Sequence, residues 1–206
     1  MPVYNPNIFD QPNPERARAI ILTPEAGMTP AQRWESETPY ILDIVRTFTE
    51  AEDTILDFGC GIGRMAPLAL DRTLIGVDMS PQMRKFAAAA YAGMPRMCLM
   101  SDLAFEGLAA RADLRLDAVL ALWVIQHVAD PVKALDMIRH TLRPGGRLFL
   151  LNRNRRCVPT YDAGWWDDGH DVFEIAAGSG LRAIHEKRLP PGLNPAESRF
   201  VILERE

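Results

Sequence analysis

Cysteine is scarce in this chain of 206 residues: Cys60, Cys98 and Cys157 are odd in number and far apart. No two of them form a CxxC pair, so the sequence offers neither a disulfide framework nor a zinc site. The expectation is a protein without a metal, working in the reducing cytoplasm. No run of about 18 apolar residues occurs, which excludes a membrane-crossing helix. The opening MPVYNPNIFDQPNPE has no basic head followed by an apolar core, so no secretory signal is expected there. Positive charge is not in excess either: 23 Lys and Arg face 27 Asp and Glu, for a net charge of −4. That speaks against nucleic acid as a partner, because nonspecific binding to a phosphate backbone is mostly electrostatic. Internal repeats are also absent. What is present is an apolar share of 48%, enough at this length for one domain with a full core.

Residues 1–28 are rich in proline and asparagine and show no sustained period. They read as an irregular arm or lid, and residues 29–206 as the domain itself. From there one device recurs. Thr29-Pro30, Thr38-Pro39, Ser80-Pro81 and Asp130-Pro131 each set a capping side chain before a proline. Gln32 adds a capping box to the first. Helices are therefore expected near 30–36, 39–50, 81–92 and 131–142, with two further crossover helices at 64–71 and 103–112. Between them lie β-forming runs at 54–58, 74–78, 97–101, 117–122 and 147–152, several nearly all apolar, as strands buried on both faces are. Alternation of strand and helix argues a parallel sheet covered on both sides. Residues 182–189 and 199–204 read as two more strands. The short turn PPGLNP between them demands an antiparallel pair.

The first strand runs into TILDFGCGIGR. A dinucleotide fingerprint needs G-x-G-x-x-G, and its third glycine falls on Arg64; the spacing here is Gly59, Gly61, Gly63. Asp57 sits on the strand just before, where a pyrophosphate gains nothing from a carboxylate but an amino group does. LIGVD ends the second strand at Asp78, and MCLMSD ends the third at Asp102. Three acids thus follow three strands on the edge where open α/β sheets bind ligands.

In these pieces the chain resembles the class I S-adenosylmethionine-dependent methyltransferases, in their small-molecule branch. ILDFGCGIGR, LIGVDMS, Asp102, DAVLALWVIQHV and LRPGGRLFLLN follow the family's order and spacing over about 50–152. The resemblance implies an α/β fold of three layers (α/β/α) with a mixed seven-stranded sheet, order 3-2-1-4-5-7-6, strand 7 antiparallel. It implies S-adenosyl-L-methionine as cofactor and S-adenosyl-L-homocysteine as product, with methyl transfer to an O, N or C atom of a small molecule. It brings Gly59, Cys60 and Gly61 close to the methionine part of the cofactor, with Gly63 and Arg64 completing the loop. Asp57 would orient the loop or meet the amino group, Asp78 the ribose, and Met79 and Met83 the adenine side. Asp102 and Leu103 would meet the adenine edge, and the backbone at Ala121 and Leu122 would lie beneath the sulfonium. Trp34, on a helix before the sheet, either closes over the cofactor or packs structurally.

The acceptor is less legible. Ala121-Leu122-Trp123-Val124 carries no D/N-P-P-Y segment, no Pro-Cys nucleophile and no clustered acids, which leaves the small-molecule branch. Trp123 and Gln126 are candidate substrate contacts. His127 is either the catalytic base or a histidine that packs behind the loop. Arg155 and Arg156 either grip an anionic acceptor or form a solvated loop. Trp165, Trp166 and His170 line a substrate wall or belong to the core, with Asp167 or Asp168 capping the helix that follows. Deleting residues 1–28 is expected to harm turnover more than cofactor affinity. Partners are limited to the small molecule, with no nucleic acid and no membrane, in a monomer or homodimer. The rivals are a nicotinamide-dependent oxidoreductase and a non-catalytic S-adenosylmethionine-binding partner protein.

Overall fold

β-forming runs and capped helices alternate in the computed structural model, which describes residues 2–24, 27–111, 113–193 and 198–206. The strands are β1 (Thr54–Phe58), β2 (Thr73–Val77), β3 (Met97–Met100), β4 (Leu116–Leu122), β5 (Leu142–Asn152), β6 (Val158–Thr160), β7 (Gly164–Trp166), β8 (Arg182–Arg188) and β9 (Arg199–Glu204). The helices are α1 (Pro14–Ile21), α2 (Pro30–Phe48), α3 (Pro81–Ala90), α4 (Asp102–Arg111), α5 (Pro131–Thr141) and α6 (Val172–Ala177). Seven strands form one sheet in the order β3-β2-β1-β4-β5-β9-β8. β1 to β5 are parallel, and β9 slots in antiparallel between β5 and β8. Counted along the chain, that is the expected order 3-2-1-4-5-7-6. Asn194 and Pro195 of the expected PPGLNP turn lie outside the described residues.

Alternation along the strands builds the layers. Ile55, Leu120, Phe149 and Ile202 face the cluster formed with Ile41, Leu42 and Val45 of α2. Their neighbours Leu56, Val119, Leu148 and Val201 face Leu135 and Ile138 of α5 and Phe173 of α6. The two apolar clusters hold the sheet between them, and its carboxyl edge is left free for loops. Among the described residues no helix is long and apolar enough to cross a membrane.

Three of the four expected caps form. Thr29 and Gln32 close a capping box, Ser80 Oγ accepts from Met83 N at 3.0 Å, and an Asp130 oxygen accepts from Lys133 N at 2.9 Å. Thr38 does not start a helix. Pro39 lies inside α2, and the Thr38 hydroxyl is spent as an acceptor for Arg64 Nε at 2.9 Å. The helix expected over 64–71 shrinks to a 3-10 turn, Ala66–Leu70, where Pro67 withholds an N–H and steers Ala66 away from α geometry. The last helix is capped by Asp171, whose oxygen takes Phe173 N at 2.7 Å, rather than by Asp167 or Asp168. The 153–170 segment folds into the β6–β7 hairpin, a feature the sequence reading missed.

The N-terminal arm rests on this frame at three places. Residues 3–5 run along the hairpin, with Asn5 N donating to Pro159 O (2.8 Å) and Tyr161 N to Val3 O (2.9 Å). The Asp10 carboxylate receives Ser80 Oγ (2.7 Å) and Gln82 N (3.1 Å) at the start of α3. Ala17 and Leu22 are buried, and Ile21 reaches the glycine turn after β1.

Candidate functional site

After Phe58 the chain turns through Gly59, Gly61 and Gly63, all at positive φ (+76°, +54° and +85°). A Cβ on Gly59 would come 2.5 Å from Val124 Cγ2, and one on Gly61 would come 2.6 Å from Ile21 Cδ1. Left-handed backbone and lack of room both demand glycine there. Gly59 N and Cys60 N donate together to Val77 O, at 2.8 and 2.9 Å, and pin the turn to the end of β2. Cys60 points inward onto Gly76, away from the edge.

Over this turn lies a cavity of about 350 Å³. Gly59, Gly61, Asp78, Met79, Met83, Asp102, Leu122, Trp123 and His127 line it, nine of the residues singled out by sequence. Asp78 is the best-placed charge. One oxygen accepts from Gly61 N at 2.8 Å and the other from Ser80 N at 2.9 Å, which fixes the carboxylate in the cavity wall. Burial raises its pKa, and those two hydrogen bonds oppose the rise. Asp57 sits one layer lower, on β1 between Gly76 and Leu120. Burial, with Asp78 adding to it and Arg64 opposing, pushes its carboxyl up to about 7.

Arg64 turns back into α2. It gives Nε to Thr38 and an Nη to Glu37 at 3.1 Å, and its guanidinium lies 5.6 Å from the Trp34 ring and 5.2 Å from the Trp123 ring. Glu37 also receives Arg33 Nε at 2.7 Å. Burial lowers the Arg64 pKa, and Nη1 is buried without a partner among the described residues. Trp34 stays outside the cavity wall, between Arg18 and Arg64 and against the Ile62 and Met83 cluster. Trp123 is held at φ +54° by its N–H to Leu151 O and its indole N–H to Ser198 Oγ at 3.2 Å. Such backbone in a bulky residue costs about 1 kcal/mol or more and persists only where the surroundings enforce it.

His127 lines the cavity with both nitrogens engaged. Nδ1 donates to Cys157 O at 2.6 Å, so Nε2 is the acceptor for the Gln126 amide at 2.8 Å. Burial drives its pKa down to about 4, with the Cys157 hydrogen bond opposing. A neutral ring with no free lone pair is poorly suited to the base role. Phe9 of the arm and Trp165 of the hairpin pack against it, at 5.6 and 5.3 Å between centroids. Gln126 is buried under the turn, bonded to Asn152 and Arg153, and does not face the cavity.

The basic loop does not reach the cavity either. Arg156 is buried and bound to Asp168 and to the carbonyl of Val128, while Arg155 donates to Gly169 O. The Arg156 donors fasten the hairpin segment to the β4–α5 turn, while Arg155 bonds within its own segment, and neither lines the cavity. Trp166 and the exposed His170 also stay off the wall, as does Leu103, which is 75% exposed. Ala121, Cys60 and Gly63 lie behind the lining surface. The wall's unforeseen members include Tyr4, Phe9, Ile20 and Ile21 of the arm, Glu106 of α4, and Lys133 and Met137 of α5. Only the apolar pair closing RARAII gave any signal; a lone tyrosine or phenylalanine in an irregular arm has no period to betray it.

A family model described as a methyltransferase domain matches residues 56–150, the stretch that supplies the glycine turn, Asp78 and Asp102. Residues 56–150 are a methyltransferase domain. A ubiquinone biosynthesis O-methyltransferase of Cereibacter sphaeroides is 36% identical over 159 residues, 72% of this chain and 63% of the relative. The counterpart of Xylella fastidiosa is 33% identical over 104 residues, 49% of this chain and 42% of its own length. The chain thus spans less than two thirds of the curated relatives it matches. Among solved structures, magnesium protoporphyrin IX methyltransferase from Synechocystis, with bound SAH, superposes at TM-score 0.65 with 16% identity, covering 97% of both chains. An S-adenosylmethionine-dependent methyltransferase of Methanosarcina mazei gives 0.59 with 15% identity, over 79% of this chain and 96% of that one. At such identities the likeness is one of fold, and the methyltransferase domain's own side chains must carry the chemistry.

Proposed function

We propose that the chain is an S-adenosylmethionine-dependent methyltransferase acting on a small molecule with an apolar body, through an O, N or C atom. The observation that carries this is Asp78, anchored by two backbone N–H groups at the rim of a glycine turn that leaves no room for a side chain. The residues fit the cofactor. Asp78 has lone pairs left for ribose hydroxyls, and Asp102 on the same wall serves the adenine edge. Asp57, a carboxyl buried beneath the turn, suits an amino group and not a pyrophosphate. When bound, the cofactor supplies a methyl group already activated by a positive sulfur.

The chain's own contribution is placement and exclusion of water. Apart from the charged Asp78, Asp102, Glu106, Asp130 and Lys133, the wall includes Phe9, Ile20, Ile21, Leu122, Trp123 and Val124, an apolar set that favours an apolar acceptor body. His127 keeps its proton on Nδ1 and serves as wall rather than base. We read residues 1–28 as an arm that covers the site of the domain at 29–206. The working form is a cytoplasmic monomer or homodimer without nucleic-acid partners.

Calorimetric titration with S-adenosylhomocysteine and with NADH tests the reading. Binding of the first and not the second is expected. Asp78→Ala should then weaken S-adenosylhomocysteine by about 1.5–3 kcal/mol, or roughly 10–150-fold, for loss of a charged acceptor. Wild-type affinity in that variant would show that the ribose is elsewhere.

A further inference from the structure

The arm meets the cavity at the same loop that carries Asp78. Ser80 N donates to one Asp78 oxygen, while Ser80 Oγ donates to Asp10 of the arm at 2.7 Å and accepts from Met83 N at 3.0 Å. Gln82 N donates to the same Asp10 oxygen at 3.1 Å. Asp10 therefore closes the first turn of α3 from outside, two residues along from Asp78. On either side of Asp10 the arm contributes to the cavity wall. Tyr4 lies beside Met79, with its hydroxyl 3.8 Å from the Met79 sulfur, and Ile20 and Ile21 lie over the glycine turn. A ligand held by Asp78 is thus touched by the loop and by the arm that the loop holds.

We propose that Asp10 is a positioning residue for the cofactor site: it fastens the N-terminal arm to the Asp78 loop, so that arm docking and occupation of the cavity strengthen each other. The proposal rests on the cofactor reading above. Coupling of this kind is reciprocal: whatever factor arm docking adds to ligand affinity, ligand adds to arm docking. Asp10 itself lines no part of the cavity, so its effect must pass through Ser80 and the arm.

The test uses the full chain, S-adenosylhomocysteine as probe, and two readouts. Calorimetry gives affinity; trypsin cleavage after Arg16 or Arg18 on α1 reports arm docking. Wild type should be protected from cleavage by the probe. Asp10→Ala should bind it about tenfold more weakly, and its unliganded arm should be cut faster. Asp10→Asn keeps an oxygen for both donors and should behave like wild type in both readouts, which a loss of folding would not do. The proposal is overturned if Asp10→Ala keeps wild-type affinity, or if it loses affinity while arm cleavage stays at the wild-type rate. A wild type that binds no probe at all would overturn the cofactor reading, and that failure is distinct from lost coupling in a chain that does bind.

Discussion

Two titrating side chains, Asp57 and His127, pull the stability of this chain in opposite directions with pH. Asp57 has a folded pKa of about 7 against 3.8 when free. Between those values the fold holds a proton that the unfolded chain has released, so stability falls as pH rises from about 4 to about 7, by up to roughly 4 kcal/mol. His127 has a folded pKa of about 4 against 6.5. There the unfolded chain binds the proton first, so stability falls as pH drops from about 6.5 to about 4, by up to roughly 3 kcal/mol. The two slopes largely offset each other in that window. Asp57→Asn should therefore match wild type near pH 4 and become more stable by a few kcal/mol (about 2–4) above pH 7, measured by urea unfolding at several pH values. A difference that does not change with pH would mean that Asp57 is ionised in the fold. The same variant should bind S-adenosylhomocysteine less well, a cost of the kind found where a site keeps an unfavourable group for its function.

At the scale of elements, α2 shows how a tertiary contact overrides a local signal. Thr38-Pro39 carries the same chemistry as Ser80-Pro81, and from sequence both read as helix starts. Only the second is one, because the Thr38 hydroxyl faces Arg64 instead of the chain ahead. The helix is kept whole by what it holds: Glu37, 1% exposed, accepts from two buried arginines. Glu37→Ala would leave both guanidinium groups buried without their shared counter-ion, which costs about 3–5 kcal/mol. A drop in melting temperature of roughly 6–20 °C is the expected result; a shift of a degree or two would mean that the arginines find water or another acceptor. The parallel strands and their acid-tipped ends were legible because buried apolar runs and strand-end carboxylates are local patterns. The β6–β7 hairpin was not. Val158-Pro159-Thr160 is three residues long and contains a proline, and it is strand only because Trp166 and the arm pair with it.

At the scale of the whole molecule, the cavity is shared between a sheet edge that sequence describes well and an arm that it hardly describes. Proline and asparagine in residues 1–28 say only that no long helix or strand forms there. They do not say that Tyr4 comes to lie beside Met79 or Phe9 beside His127, since both contacts span the chain. That placement alters the expectation for an arm deletion. An arm that covered only the acceptor would affect turnover and spare cofactor affinity. This arm touches the glycine turn through Ile21, the α3 cap through Asp10 and the Asp78 side of the cavity through Tyr4. Removing residues 2–24 should therefore weaken S-adenosylhomocysteine by more than Asp10→Ala does, because it removes the latch and the wall together. It should also lower stability, since burial of Leu22 alone contributes about 1.5–3 kcal/mol. Calorimetry and thermal unfolding of the truncated chain measure both. Affinity within twofold of wild type would place the arm's contribution wholly on the acceptor side.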